Sequence, residues 1–255
     1  MQRDDWESHW TDFSEASRVN PAGAYRLELL LRLLRPILKP GVRLLDIGSG
    51  PGYLLAHLSS RFPDAELRGV ELSKTAIEGA RARAAHAEFL QCDLVGSLEP
   101  PERWLSWADV AICSEVLEHV DQPSLLLENV RRFLAPGGRL IVTVPGGPRS
   151  AFDRHIGHRR HYSRADLRSL LVESGFSVER CDADGFPFFN LYRIMVVTRG
   201  DRLVEDAKVV RAPRGLSVIG ALFRMLFRLN LHRTPWGWQL TAEATLESAA
   251  PRREA

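Results

Sequence analysis

The sequence predicts an α/β domain whose core is a doubly wound, mostly parallel sheet of seven strands. Apolar runs typical of buried strands alternate with helical patterns along most of the 255 residues, as expected when helices cover both faces of a parallel sheet. Hydrophobic residues make up 45% of the chain, which is enough for a sizeable core. The first apolar run ends in a glycine-rich turn where a strand would enter a helix. Such a sheet binds its ligand at the carboxyl ends of its strands.

The predicted elements follow one another in a regular order. Two N-terminal helices are expected over residues 4–35, broken at Asn20-Pro21. Strands are predicted at 42–47, 66–71, 87–92, 109–114, 139–144, 177–182 and 236–245, and helices at 52–61, 73–85 and 122–134. The roughly 50 residues before the last strand are too many for a plain loop, so they are expected to form a helical insertion.

Two apolar surfaces outside the sheet are open to more than one interpretation. Trp6, Trp10 and Phe13 share one face of the first helix, which favours core packing or, alternatively, a lid over the ligand. The insertion carries a broad apolar face beside two arginines, and its residues are Leu216, Ile219, Leu222, Phe223, Leu226 and Phe227, next to Arg224 and Arg228. This face is expected to pack on the sheet, to cover an apolar substrate, or to contact a membrane through residues 215–229.

The glycine turn indicates the charge of the ligand. In LLDIGSGPGY, Leu44 to Tyr53, the strand ends near Asp46, and glycines occupy every second position that follows. A dinucleotide-binding turn would have a third glycine where this chain has Tyr53. Asp46 would repel a pyrophosphate, whereas it would attract a cation. S-adenosylmethionine, which carries a sulfonium and an ammonium group and no phosphate, fits this turn better than a dinucleotide.

The segment DIGSGPG resembles the first motif of the class I S-adenosylmethionine-dependent methyltransferases, which implies a Rossmann-like fold and this cofactor. The segments LRGVELS, AEFLQCDLVGSL, DVAICSEVLEHV and LAPGGRLIVTVP continue the resemblance in fixed order over roughly residues 40–145. Glu71 suits the ribose diol because a carboxylate can accept two hydrogen bonds. In the family, an acid at the position of Asp93 accepts from the adenine amino group, and the residue at Cys92 packs on the ring. The resemblance thus implies a cofactor site of Asp46, Gly48, Ser49, Gly50, Gly52, Glu71, Leu72, Cys92, Asp93, Leu94, Ser114 and Glu115.

The resemblance implies one methyltransferase domain over residues 1–255, which has five segments. A helical cap at 1–40 precedes the cofactor-binding core at 41–184, and a helical insertion or lid at 185–235 precedes a closing strand at 236–247 and a tail at 248–255. The predicted activity is methyl transfer to a small molecule, and a hydroxyl oxygen is the favoured acceptor. The alternatives are N-methylation of a small molecule, RNA methylation, and a non-catalytic protein that binds S-adenosylmethionine.

Candidate catalytic groups must come from loops that leave the carboxyl ends of the strands. Residues 114–119 and 153–161 qualify, and they contain four of the eight histidines. His119, His155 and His158 are the general-base candidates, since a histidine can remove a proton from a hydroxyl near neutral pH. Arginines 154, 159 and 160 are candidates for pairing with an acidic substrate group.

Glu115, Glu118 and His119 suggest a different chemistry. On a helix these three would share one face and offer a mixed oxygen and nitrogen set to a divalent metal. The E-x-x-E-H pattern is similar to that of small-RNA 2′-O-methyltransferases and of ubiquinone-pathway catechol O-methyltransferases, in which a metal holds adjacent substrate oxygens. The pattern is also common in class I methyltransferases without a known metal. A divalent metal is therefore not the favoured interpretation, and a base or simple alignment is preferred.

The net charge and the cysteine content of the chain limit the partners and the location that are expected. A net charge of +2, without a basic stripe interleaved with aromatic residues, predicts no nucleic-acid partner. The three cysteines form no C-x-x-C pair and lie in or beside predicted strands, which favours free thiols and a cytoplasmic location. Neither a signal peptide nor a membrane-spanning run is predicted. The oligomeric state is not predicted.

Overall fold

A seven-stranded sheet lies at the centre of the computed structural model, which describes residues 6–7, 10, 20–96, 99–199 and 214–247. The strands are β1 (Arg43–Ile47), β2 (Glu66–Glu71), β3 (Glu88–Gln91), β4 (Ala108–Ser114), β5 (Leu134–Pro145), β6 (Phe176–Asp184) and β7 (Gln239–Leu246). The helices are α1 (Pro21–Leu34), α2 (Tyr53–Arg61), α3 (Lys74–Arg83), α4 (Pro123–Arg131), α5 (Ala151–His155), α6 (Arg164–Glu173), α7 (Phe188–Arg199) and α8 (Arg214–Leu226). Short 3₁₀ turns span Glu102–Trp104, Leu117–His119 and Phe227–Leu229.

The strand order is β3-β2-β1-β4-β5-β7-β6. Strands β1 to β5 run parallel to one another, and β7 runs antiparallel between β5 and β6. The chain order reverses between β1 and β4, which lie side by side. The predicted doubly wound, mostly parallel α/β fold is therefore confirmed, and this reversal is where such a sheet opens a ligand crevice.

Two apolar cores cover the two faces of the sheet. On one face, α1, α2 and α3 bury residues such as Leu34, Leu55 and Ile77. On the other, α4 and α6 bury residues that include Leu127 and Leu167. Helices on both faces explain why the central strands are near-continuous apolar runs instead of alternating ones. None of the helices in the described ranges is both long and apolar enough to cross a membrane.

Two strand boundaries differ from those predicted. Strand β5 begins at Leu134 instead of 139, because Leu134 pairs with Ala108 before the ladder resumes at Arg139 opposite Val110. Strand β7 begins at Gln239 instead of 236. The side chain of Asn190 donates to the carbonyl of Trp236, and it accepts from the amide of Trp238, so this stretch is bonded to α7 before the sheet pairing begins at Gln239.

The predicted helical insertion is present as α7 and α8, and part of its apolar face packs on α1. Phe223 and Phe227 are buried against Tyr25, whose ring centroid lies 5.3 Å from that of Phe227 and 5.1 Å from that of Phe189. The insertion therefore contributes to the core of the protein. Leu216 and Ile219 lie outside the described side chains, and a role of the insertion as a lid stays a prediction.

Replacing Phe227 by alanine is expected to lower the free energy of unfolding by about 3–5 kcal/mol, because a fully buried aromatic ring leaves a cavity. Denaturant unfolding monitored by circular dichroism measures this change. Leu229→Ala is a matched control, since Leu229 is 64% exposed in the same 3₁₀ turn and should change stability little. Equal effects of the two changes would contradict this account of the packing.

Candidate active site

The glycine turn joins β1 to α2 and folds back onto β2. The amides of Gly48 and Ser49 donate to the carbonyl of Val70, at 2.8 and 3.1 Å. Gly50 has φ +51°, and a Cβ atom there would lie 2.8 Å from the indole of Trp10. Gly52 has φ +76°, and its Cβ would lie 2.9 Å from that of Ala80 on α3. Bare backbone is thus required both at the cavity and where α2 meets α3.

Glu71 closes the turn from the end of β2. Its carboxylate accepts from the amide of Gly50 at 2.8 Å, and its other oxygen accepts from the amides of Leu72 and Ser73 at 2.8 and 2.9 Å. Burial raises the pKa of Glu71, while these backbone donors act in the opposite direction. Glu71 therefore shapes the turn as well as lining the cavity beside it.

Asp46 lies beneath the same turn and is 4% exposed. Burial, and then repulsion from Glu71, raises the pKa of Asp46 to about 8. The Ser49 hydroxyl is also buried and has no hydrogen-bond partner in the described part of the chain. Two carboxyl groups and an unsatisfied hydroxyl around the glycine turn form a site that a cationic, hydrogen-bonding ligand would stabilise.

A cavity of about 120 Å³ extends from this turn across the ends of β2 and β4. It is lined by Gly48, Glu71, Leu72, Cys92, Asp93, Leu94, Glu115 and His119, together with Trp6, Trp10, Val70, Val95, Val116, Val120 and Leu126. Burial, and then the charge of Asp93, raises the pKa of the Cys92 thiol to about 11, so it presents an uncharged sulfur to the cavity. Predicted cofactor residues at the ends of four strands, β1 to β4, therefore meet around one cavity.

Glu115 occupies the end of β4 in a left-handed conformation, with φ 57°. Non-glycine residues rarely adopt this conformation, and where they do it is often at functional sites. The Glu115 carboxylate accepts from Gln239 at 2.9 Å and from Thr143 at 3.1 Å, and it lies 3.5 Å from Arg26. These partners from α1, β5 and β7 fix Glu115 at the cavity wall, next to Ser114, whose hydroxyl is 2.8 Å from that of Thr143.

The predicted helical face of Glu115, Glu118 and His119 is not formed. Because Glu115 is left-handed, the chain only becomes helical at Leu117–His119, and that turn is 3₁₀. Glu118 instead points into the protein interior and is fully buried. His119 lines the cavity, with its ring 4.9 Å from that of Trp6 and 4.6 Å from that of His158.

Glu118 is the least satisfied polar group near the cavity. Neither of its carboxylate oxygens has a hydrogen-bond partner among the described residues. Burial, and then the charge of Glu115, raises the pKa of Glu118 well above its usual range. One ligand atom each from Glu118, His119 and His158 lies within 4.8 Å of the others. These three side chains could hold a divalent cation, with His158 in the place predicted for Glu115.

A second polar cluster lies behind His158. The Nδ1 of His158 is 3.1 Å from the Nε2 of His161, and both rings lie within 4 Å of the Asp153 carboxylate. Arg193 on α7 donates to both oxygens of Asp153, at 3.0 and 2.7 Å. Burial, and then the proximity of His119, lowers the pKa of His158 to about 2. His158 is therefore neutral at physiological pH and a weak proton acceptor.

The remaining predicted residues lie away from the cavity. His155 is exposed at the end of α5 and does not line it. Arg159 donates to the carbonyl of His119 and pairs with Asp121, and Arg160 donates to the carbonyls of Val120 and Asp121. These two arginines hold the loop after β4 in place, so the prediction that they pair with an acidic substrate is not favoured by the structure.

Three N-terminal residues that the structure describes, Trp6, Glu7 and Trp10, lie at or beside the cavity. Glu7 accepts from the amides of Lys74 and Thr75 and from the hydroxyl of Ser73, at 2.7–2.9 Å, and so is anchored to the start of α3. Trp6 and Trp10 line the cavity below it, which favours a lid over plain core packing, and Phe13 lies outside the described residues. The sequence gives no signal for Glu7, because its partners are more than 60 positions away.

Comparison with known proteins agrees with this geometry. A family model described as a methyltransferase domain matches residues 20–180, which is more than half of the chain. The chain belongs to the class I S-adenosylmethionine-dependent methyltransferase family. The predicted resemblance is therefore confirmed.

Named relatives of this methyltransferase include two bacterial enzymes. Trans-aconitate 2-methyltransferase of Methylobacterium radiotolerans is 35% identical over 141 residues, which cover 55% of this chain and 50% of the relative. Ubiquinone biosynthesis O-methyltransferase of Alkalilimnicola ehrlichii is 30% identical over 149 residues, which cover 55% of this chain and 56% of the relative. The chain thus spans about half the length of the curated relatives it matches.

A solved structure similar to this methyltransferase is phosphoethanolamine N-methyltransferase 2 of Haemonchus contortus in complex with S-adenosyl-L-methionine. The match has a TM-score of 0.56 and 19% identity, and it covers 95% of this chain and 60% of that one. At this level of identity the likeness concerns the fold alone.

Proposed function

We propose that this methyltransferase transfers a methyl group from S-adenosylmethionine to a hydroxyl oxygen of a small molecule. The observation that carries the proposal is the position of His119, which lines the same cavity as Asp93 and Glu115. A histidine there can take the proton of an acceptor hydroxyl as its oxygen becomes methylated. A relative named an O-methyltransferase supports the oxygen acceptor.

The residues around the glycine turn fit the cofactor. Gly48, Gly50 and the Ser49 hydroxyl would meet its methionine end, with Asp46 as the counter-charge to the ammonium and sulfonium groups. Glu71 would accept from the ribose hydroxyls and Asp93 from the adenine amine, while Leu72, Cys92 and Leu94 would contact the ring. When bound, S-adenosylmethionine supplies a methyl group that is electrophilic because it is attached to a positively charged sulfur.

The protein's own contribution is alignment, exclusion of water and movement of one proton. Trp6, Trp10, Val116, Val120 and Leu126 make much of the cavity lining apolar, so an acceptor with an apolar part is expected. His158 packs edge-on against His119 and, being neutral, would orient that ring without competing for the proton. Orientation in a dry site is the larger part of catalysis for a one-step displacement.

The direct test is turnover with cofactor that carries a deuterated methyl group. The protein is incubated with a metabolite extract, and products are sought that have gained the labelled methyl. Fragmentation then assigns the methylated atom. A product labelled on a hydroxyl oxygen supports the proposal, whereas a labelled nitrogen, or labelled RNA, would replace it with one of the other acceptors. Binding of cofactor without any labelled product from a range of extracts would favour a non-catalytic protein.

A metal-assisted version of the reaction is favoured by one observation, the unsatisfied carboxylate of Glu118. A divalent ion held by Glu118, His119 and His158 would lower the pKa of a bound substrate hydroxyl, so no separate base would be needed. Chelation would then abolish turnover, and added Mg²⁺ or Mn²⁺ would restore it. Turnover that is unchanged by chelators supports His119 as a simple base, which is the version we propose.

Affinity for the cofactor is expected to rise as the pH rises from about 6 to about 8, by up to about tenfold per pH unit. The direction of this change in affinity follows from Asp46, whose pKa is about 8 in the ligand-free protein. Below that pH Asp46 holds a proton, which must leave before the carboxylate can pair with the cationic ligand. Above about pH 8 the gain should end, because the cofactor's own amino group begins to lose its charge.

Calorimetry in buffers of different ionisation enthalpy measures both the affinity and the proton that is released. In the Asp46→Asn variant, which has no proton to release, the pH dependence over this range should disappear. A wild-type affinity that does not change between these pH values, with no proton release, would contradict the assignment of Asp46.

A further inference from the structure

Helix α8 has two different apolar faces. Phe223 and Phe227 are buried against α1 and α7. Three apolar side chains close to them in sequence are exposed instead. Leu222 is 48% exposed, Met225 59% and Leu229 64%. The spacing of three and four places Leu222, Met225 and Leu229 on one side of the helix and its following turn. We refer to these three residues as the outer stripe.

The outer stripe is followed by two more large apolar side chains in contact with solvent. Leu231 is 52% exposed and Trp236 is 60% exposed. Trp236 is held in place, since its carbonyl accepts from Asn190 on α7 and its ring lies 5.4 Å from that of Phe186. Single exposed apolar side chains are common on protein surfaces. A row of them along a helix, followed by a tryptophan held in place, indicates a surface that binds a membrane or a partner.

The described residues of this region carry charged side chains of one sign. Residues 185–199 and 214–238 contain six arginines and neither aspartate nor glutamate. The arginines are Arg193, Arg199, Arg214, Arg224, Arg228 and Arg233. Arg193 and Arg233 pair with Asp153 and Asp182 of the body of the protein. Arg224 lies on α8 and Arg228 in the 3₁₀ turn that follows it, and both are at exposed positions beside the outer stripe.

We infer that the outer stripe docks this protein on an anionic lipid surface, with α8 lying in the plane of the interface. Aliphatic side chains enter the boundary between headgroups and acyl chains, while neighbouring arginines attract acidic headgroups. Tryptophan is the side chain enriched at this depth. The described helices are too short or too polar to cross the bilayer, which agrees with a surface-bound helix.

Charge complementarity selects lipid over the other occupants of such a surface. A second copy of the chain would bring a surface of the same positive sign, so the two would repel one another. Nucleic acid would match the arginines, but the leucine and methionine side chains offer it no stacking surface. An anionic bilayer matches both the charge and the aliphatic side chains.

The test is co-sedimentation of the full chain with vesicles of phosphatidylcholine alone or of phosphatidylcholine mixed with phosphatidylglycerol. We expect binding to the mixed vesicles, with little binding to the neutral ones. The triple variant Leu222→Ser, Met225→Ser, Leu229→Ser should lose at least about tenfold in affinity, since three apolar contacts are removed. Arg224→Gln and Arg228→Gln should each cost about fivefold, and only with anionic vesicles at low salt.

Val172→Ser is the matched control, because Val172 on α6 is also an apolar side chain, 52% exposed, and lies outside the insertion. Its binding should equal that of the wild type. Thermal unfolding and cofactor affinity of every variant report whether the fold is intact. Wild-type chain that stays in the supernatant with both vesicles overturns the inference. A concentration-dependent dimer that the triple variant abolishes, without vesicle binding, would assign the outer stripe to a second copy instead.

Discussion

Replacing His119 by alanine is expected to lower kcat by about a hundred- to ten-thousand-fold, the range typical of a lost general base. Cofactor affinity should change little, because His119 is not among the residues expected to hold the cofactor. Part of the activity should return as pH rises, since the acceptor hydroxyl then ionises without help. Steady-state turnover measured as a function of pH reports the loss of kcat and its recovery. Calorimetric titration of the same variant reports the cofactor affinity.

His155→Ala is the control for this experiment. His155 is a histidine of the same sequence region, but it lies exposed at the end of α5, so kcat should remain at the wild-type value. His158→Ala should fall between the two, because His158 orients His119 and has too low a pKa to act as the base itself. Full activity of His119→Ala without chelator sensitivity would exclude both base and metal. Such a result would favour an acceptor that needs no deprotonation, such as an amine or an ionised carboxylate.

The ends of the strands were the most predictable part of this protein. In parallel strands, residues that end consecutive apolar runs meet at one edge of the sheet, so Asp46, Glu71 and Asp93 could be brought together from the sequence alone. The helices and strands were equally accessible, because buried parallel strands and amphipathic helices have different apolar periods. The boundaries of β5 and β7 were not, since a register shift and the side chain of Asn190 set them.

Contacts between distant segments were the least predictable part. Asp153 and Arg193 are 40 residues apart, and nothing in the local pattern of either loop or helix indicates their ion pair. Arg159 and Arg160 were predicted to pair with a substrate, because neither the backbone carbonyls that they donate to nor the distant Asp121 is indicated by the local sequence. Glu115 was expected on a helix, and the local sequence reveals neither its left-handed backbone nor its partners on α1, β5 and β7.

Cofactor binding is expected to depend most strongly on Gly50. Valine at this position would be forced to φ +51°, and its Cβ would lie 2.8 Å from the indole of Trp10. A β-branched residue in this conformation costs on the order of 1–3 kcal/mol in strain alone. The side chain would also fill the space above the turn and displace the amide that donates to Glu71. We therefore expect Gly50→Val to abolish measurable binding of S-adenosylmethionine.

Two further variants distinguish loss of the cofactor-binding turn from backbone strain in general. Gly41→Val imposes a similar positive φ, +76°, at a turn with no atom within 4 Å, so it should lower stability and leave cofactor affinity unchanged. Glu71→Ala removes the acceptor and leaves the space, so it should weaken binding by about 1.5–3 kcal/mol, a loss smaller than that of Gly50→Val. Calorimetric titration of the three variants ranks them directly. If Gly50→Val binds as well as Gly41→Val, the glycine turn supports only the fold, and the cofactor must bind elsewhere on the sheet.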